Sequence, residues 1–96
     1  MQEVTWSKEQ LEAAHKHSIY NRDEILRSGL CGCFYCGHVF TPDELDEEMD
    51  WTDMYAEQPT ALCPKCMIDA VIGDASGYPV ADGAFQNSMF EYFFEG

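Results

Sequence analysis

Cys33-Phe34-Tyr35-Cys36 and Cys63-Pro64-Lys65-Cys66 are two C-x2-C elements separated by residues 37–62. Two intervening residues let both sulfurs of a pair turn toward one ion from a tight loop, and two such loops can close a tetrahedron of four thiolates. Gly37, directly after the first pair, can take the positive φ that aims backbone amides at sulfur. Cys33, Cys36, Cys63 and Cys66 are therefore the predicted metal ligands. Zinc is the expected ion, because soft thiolates suit it, it has no redox chemistry, and small domains gain folding free energy from it. Four protein ligands leave no position for water or substrate, so the expected role of the zinc is structural.

The length agrees with a need for such an ion. A chain of 96 residues buries only about 60 to 65% of the surface its unfolded form exposes, which makes a purely apolar core marginal. With 46% hydrophobic and 14% aromatic residues the chain is globular rather than disordered. Eighteen acids against five Lys and Arg give a formal charge of −13, and no Lys or Arg follows Lys65. Direct binding of nucleic acid is excluded on electrostatic grounds, since a duplex would meet net repulsion. A basic protein would instead be attracted. No apolar run approaches membrane-spanning length and none stands behind a positively charged start, so the expectation is no membrane association and a cytoplasmic location. Paired cysteines plus an odd fifth fit a reducing compartment.

Helix signals flank the cysteine frame. Ser7-Lys8-Glu9-Gln10 reads as a capping box opening a helix over 8–18, with Leu11 and Ala14 inward. Asn21-Arg22-Asp23-Glu24 reads as a second box, followed by Ile25 and Leu26 and stopped at Ser28-Gly29. Thr41-Pro42-Asp43-Glu44 is a third start, with Leu45 and Met49 as its inner face. Thr60-Ala61-Leu62 suggests a strand entering Cys63, and Met67–Ile72 suggests a helix closed by Gly73. A last helix is predicted from Asp82 or Gly83 to Glu95, with Phe85, Met89, Phe90, Phe93 and Phe94 covering more than one face. That face packs into the core or forms a homodimer interface.

The predicted fold is a single α+β domain over residues 1–96. It comprises a helical N-terminal part (1–29), a zinc core (30–75) and a Phe-rich C-terminal helix (76–96). With Cys63 ending a strand and Cys66 beginning a helix, the four-Cys site has the layout of a treble clef, with a zinc ribbon as the second choice. Cys31 sits too close to Cys33 to join the ligand set and reads as a small buried hydrophobe. His38 reads as a surface imidazole or a neighbour of the ligands.

The run His17-Ser18, Asn21-Arg22, Ile25, Ser28, CGCFYC (31–36), then Thr60-Ala61-Leu62-Cys63-Pro64, Ile68-Asp69, Val71-Ile72-Gly73 and Ser76-Gly77-Tyr78-Pro79 resembles a family of small bacterial and phage cytoplasmic proteins of unknown function. Residues 15–94 carry the likeness, with Met67 standing where that pattern has Gly. The cysteine frame also resembles His-Asn-His endonucleases built on a zinc-bound treble clef, but the only histidine between the pairs is His38 and their catalytic residues are absent. Rubredoxin is a third likeness, implying iron and electron transfer.

Residues 43–57, DELDEEMDWTDMYAE, hold a run of carboxylates interleaved with large apolar groups. They read either as a solvated amphipathic segment or as a surface for a basic partner, made of Asp43, Glu44, Asp46, Glu47, Asp50 and Asp53 with Trp51 or Tyr55 as anchor. No Ser-His-Asp order, phosphate loop or carboxylate pair split in acidity is present. The expected function is thus a non-catalytic, zinc-stabilised module that binds a protein. The alternative is an acidic mimic of nucleic acid that inhibits a DNA- or RNA-binding protein, of the kind phages use against host defence.

Overall fold

A computed structural model describes residues 6–52 and 57–95. The first capping box forms as predicted: Ser7 Oγ accepts the Gln10 N–H at 3.1 Å, and Gln10 Oε1 accepts the Ser7 N–H at 2.9 Å. Helix α1 (Lys8–His15) follows, buries Leu11 and Ala14, and tightens into a 3-10 turn at Lys16–Ser18. Helix α2 (Arg22–Arg27) buries Ile25 but leaves Leu26 half in water. Asn21, at its start, does not cap it. The Asn21 side chain is buried instead, donating to the carbonyls of His17 (2.8 Å) and Val71 (2.9 Å) and accepting the Ala61 N–H (3.0 Å).

The strands are two or three residues long. β1 (Cys31–Cys33) lies between β2 (Val39–Phe40) and β5 (Val71–Gly73) in an antiparallel sheet, with Cys31 opposite both Phe40 and Gly73. β3 (Trp51–Thr52) pairs with β4 (Thr60–Ala61) in a separate antiparallel ribbon. Such short ladders are marginal alone and must be held by packing or by cross-links. At Gly32 a Cβ would run into the Val80 carbonyl oxygen, so the bare backbone of β1 lets the 80–82 turn dock on the sheet.

Two expected helices are not formed. Residues 67–70 form no helix, and Val71, Ile72 and Gly73 become β5, buried on both faces. A short apolar run of β-branched residues has the same pattern in a buried strand as in a buried helix, and here the strand wins. Cys66 consequently begins no helix, which removes the element the treble-clef layout requires. After Thr41 only a 3-10 turn forms (Pro42–Glu44); Leu45 is buried, but Met49 is 67% exposed. The reason is local competition for amides. Asp46 Oδ1 accepts the N–H groups of Glu48 (2.8 Å) and Met49 (3.0 Å), and Asp50 Oδ2 accepts that of Asp46 (2.7 Å), so side chains take the place of helical partners.

The C-terminal helix is as expected. Asp82 Oδ2 caps it by accepting the Phe85 N–H (3.0 Å), α3 runs Gly83–Phe90, and a wider π-type turn continues over Glu91–Glu95. Phe85 and Met89 enter the core with Ile25, Phe40, Val71 and Ile72. Phe93 stacks on His15 of α1 with ring centroids 4.2 Å apart. Much of the Phe-rich face is thus used inside the chain. Among the described residues, no helix is long and apolar enough to cross a membrane.

Candidate metal centre

The two cysteine pairs lie on two loops with one backbone pattern. In the first, between β1 and β2, the Cys33 N–H donates to the His38 carbonyl (2.9 Å) and the Gly37 N–H to the Cys33 carbonyl (2.8 Å). In the second, between β4 and β5, the Cys63 N–H donates to the Ile68 carbonyl (3.0 Å) and the Met67 N–H to the Cys63 carbonyl (2.8 Å). The amides then turn to the sulfurs in matching fashion. Tyr35 and Cys36 amides point at Cys33, Lys65 and Cys66 amides at Cys63 (3.4 and 3.5 Å), the His38 amide at Cys36 and the Ile68 amide at Cys66. N–H dipoles aimed at sulfur favour the thiolate, the form that binds metal.

The fold brings together all four predicted ligands. The Sγ atoms of Cys33, Cys36, Cys63 and Cys66 lie within 4.8 Å of one another, with Cys33–Cys66 at 3.7 Å and Cys36–Cys63 at 3.6 Å across the two loops. A tetrahedral ion with metal–sulfur bonds of about 2.3 Å has sulfur–sulfur edges of about 3.8 Å. A disulfide would need about 2.05 Å, and all five cysteines are free. Spacing, donor set and amide orientation therefore fit a tetrahedral thiolate site for a metal ion.

The thiol acidities follow from the crowding. Burial pushes Cys33 well above the ordinary thiol range, opposed by the amides of Cys36 and Tyr35 and reinforced by Cys63 and Cys66. Burial also raises Cys66, opposed by the Ile68 amide and Cys33 and reinforced by Cys36 and Cys63. At Cys36 burial works upward, but the His38 amide and the three facing cysteines outweigh it and lower the value. Four sulfurs this close cannot all ionise without a cation between them, so metal entry displaces protons.

Cys31 is outside the cluster. It is fully buried on β1, and burial, with Asp74 nearby, pushes its thiol up to about 12. His38 is also no ligand: its ring stacks on Phe40 (5.2 Å, 15°) and its Nε2 faces Glu44 Oε1 at 3.4 Å.

The acidic surface predicted for a partner is divided by the fold. Asp43, Glu44, Asp46 and Glu47 are exposed, whereas Asp50 and Trp51 are buried. The Asp50 carboxylate is spent on the Asp46 amide of its own loop, and Trp51 lies under Arg22, whose guanidinium carbon is 4.7 Å from the ring centre and whose Nη2 meets Glu47 Oε2 at 2.9 Å. Trp51 is therefore a core residue rather than an anchor. Asp53 and Tyr55 lie outside the described residues.

Phe34, Tyr35, Cys36 and Gly37 on the first loop face Gly83, Gln86, Asn87 and Phe90 on α3 across a groove of about 470 Å³. Phe90 is one turn after Gln86 and Asn87, a spacing that would have marked this face of α3, but only the fold reveals what it faces. Comparison with protein-family models, curated proteins and solved structures finds no match.

Proposed function

We propose that this chain is a non-catalytic module, built on a structural zinc ion in a zinc-ribbon-like pair of loops, whose function is to bind another protein. The observation that carries the reading is the convergence of four thiols, two from each loop, at tetrahedral spacing. Zinc held there supplies cross-linking between β1 and the β4–β5 segment and, with four sulfur ligands, offers no site to a reactant. Cys33 and Cys36 would hold it from one side and Cys63 and Cys66 from the other, with the six amides fixing the sulfurs. Among the described residues no other cluster of His, Cys, Asp or Glu has ligand spacing.

The test is metal analysis of the purified chain together with chelation. One zinc per chain, a colourless protein, and loss of tertiary structure on removal of the ion support the reading. A chain that stays folded without metal, or a red iron form that is reduced and reoxidised reversibly, overturns it. The alternative, an acidic mimic occupying a nucleic-acid-binding protein, rests on the exposed carboxylates of Asp43, Glu44, Asp46 and Glu47. It requires that DNA compete for the same partner and that affinity collapse with salt.

A further inference from the structure

We infer that the groove between the first cysteine loop and α3 receives a positively charged segment of a partner protein, with an arginine side chain laid against Phe90 and Tyr35. This rests on the reading of the chain as a zinc-stabilised binding module and specifies the partner's chemistry.

The groove is built from aromatic faces and acceptors. Tyr35 and Phe90 stand 5.8 Å apart between ring centroids, and Phe94 closes a triad at 4.8 Å from Tyr35 and 5.7 Å from Phe90. Tyr35 and Phe94 are each 44% exposed, although the chain has a core able to take aromatic rings. Gln86 is fixed in direction: its Nε2 donates to the Val80 carbonyl at 2.9 Å, which leaves Oε1 turned toward Gly37 as an acceptor. Cys36, the exposed one among the four sulfurs, lies on the same wall. Four thiolates on a divalent ion leave about two net negative charges there. None of the described residues lining the groove is cationic.

Charge decides between occupants. A second copy of this chain would bring another −13 against −13, a repulsion that a basic segment converts into attraction. Arginine suits the site better than lysine, because its planar guanidinium stacks on aromatic faces and presents several N–H donors to Gln86 Oε1 and the sulfurs.

The experiment is an NMR titration of the zinc-loaded full chain with Gly-Arg-Gly-Arg-Gly, its lysine counterpart and its glutamate counterpart. Shifts centred on Tyr35, Gly37, Gln86 and Phe90, tighter binding of the arginine peptide than of the lysine one, and no response to glutamate are expected. Phe90→Ser should weaken the arginine peptide about tenfold, while Glu47→Gln on the acidic segment leaves it nearly unchanged. Shifts confined to residues 43–50, or equal binding of Arg and Lys peptides, overturn the assignment. So does a dimer in solution that Phe90→Ser dissolves. A chain that proves folded and metal-free refutes the zinc reading whether or not the peptide binds, so the two failures are distinguishable.

Discussion

Gly37 and Met67 occupy equivalent places in the two cysteine loops, and both have a left-handed backbone, with φ of +82° and +65°. Each donates its N–H to the carbonyl of the first cysteine of its pair. Only one of them is glycine. A side chain in this conformation costs on the order of 1–2 kcal/mol, and Met67 is 46% exposed, so its side chain recovers little by burial. Met67→Gly should therefore stabilise the chain by about 0.5–1 kcal/mol after the entropy lost by glycine is subtracted. Thermal melts of the folded chain should move up by a few degrees, and Met67→Val should move them down.

Removal of the ion should unfold the chain rather than loosen one loop. β1 pairs with both β2 and β5 and also carries Cys33, so losing the cross-link frees the central strand. Cys33→Ser and Cys63→Ser should each abolish stoichiometric zinc binding and the cooperative melt, as measured by metal analysis and near-UV circular dichroism. A cooperative melt in either variant would contradict the shared site.

Cys31 should behave in the opposite way. Cys31→Ser should keep one zinc per chain but lose about 1–3 kcal/mol, since it replaces a thiol by the more polar hydroxyl at a fully buried position of the central strand. In the folded chain its thiol, shielded and pushed up to about 12, should not react with a disulfide reagent at neutral pH. Rapid labelling of Cys31 in the folded chain would be the adverse result.

Asn21→Ala should be among the most damaging changes outside the cysteines. It removes two donated bonds and one accepted bond in a buried setting and strands the Ala61 amide and Val71 carbonyl, a loss of about 2–4 kcal/mol in denaturant titration. Asn21→Asp should be worse, because a carboxylate has nothing to donate to those carbonyls.

The four-cysteine cluster was readable from sequence because C-x2-C spacing encodes a local loop geometry that tertiary context hardly alters. The Ser7 box and the Asp82 start were readable for the same reason. Residues 67–72 were not, since a buried strand and a buried helix share one apolar pattern, and the pairing of Val71 with Cys33 that decides between them is a long-range fact. The third helix failed because Asp46 and Asp50 reach their own loop's amides, a choice that composition does not reveal. Asn21 satisfied a capping pattern by coincidence while serving strands found much later in the chain. The groove joins positions 34–37 to 83–90, and no local signal links them.

Because Asn21 reaches both β4 and β5, the opening helices are not a detachable preface to the half that carries the four cysteines. An engineer trimming the chain at residue 30 to obtain a minimal finger would be cutting away one wall of that half. The excised piece would keep its four sulfurs yet hold them on strands with unanswered amides. The smallest autonomous unit therefore starts ahead of the cysteines, and scaffolds borrowed from this chain should carry the first two helices with them.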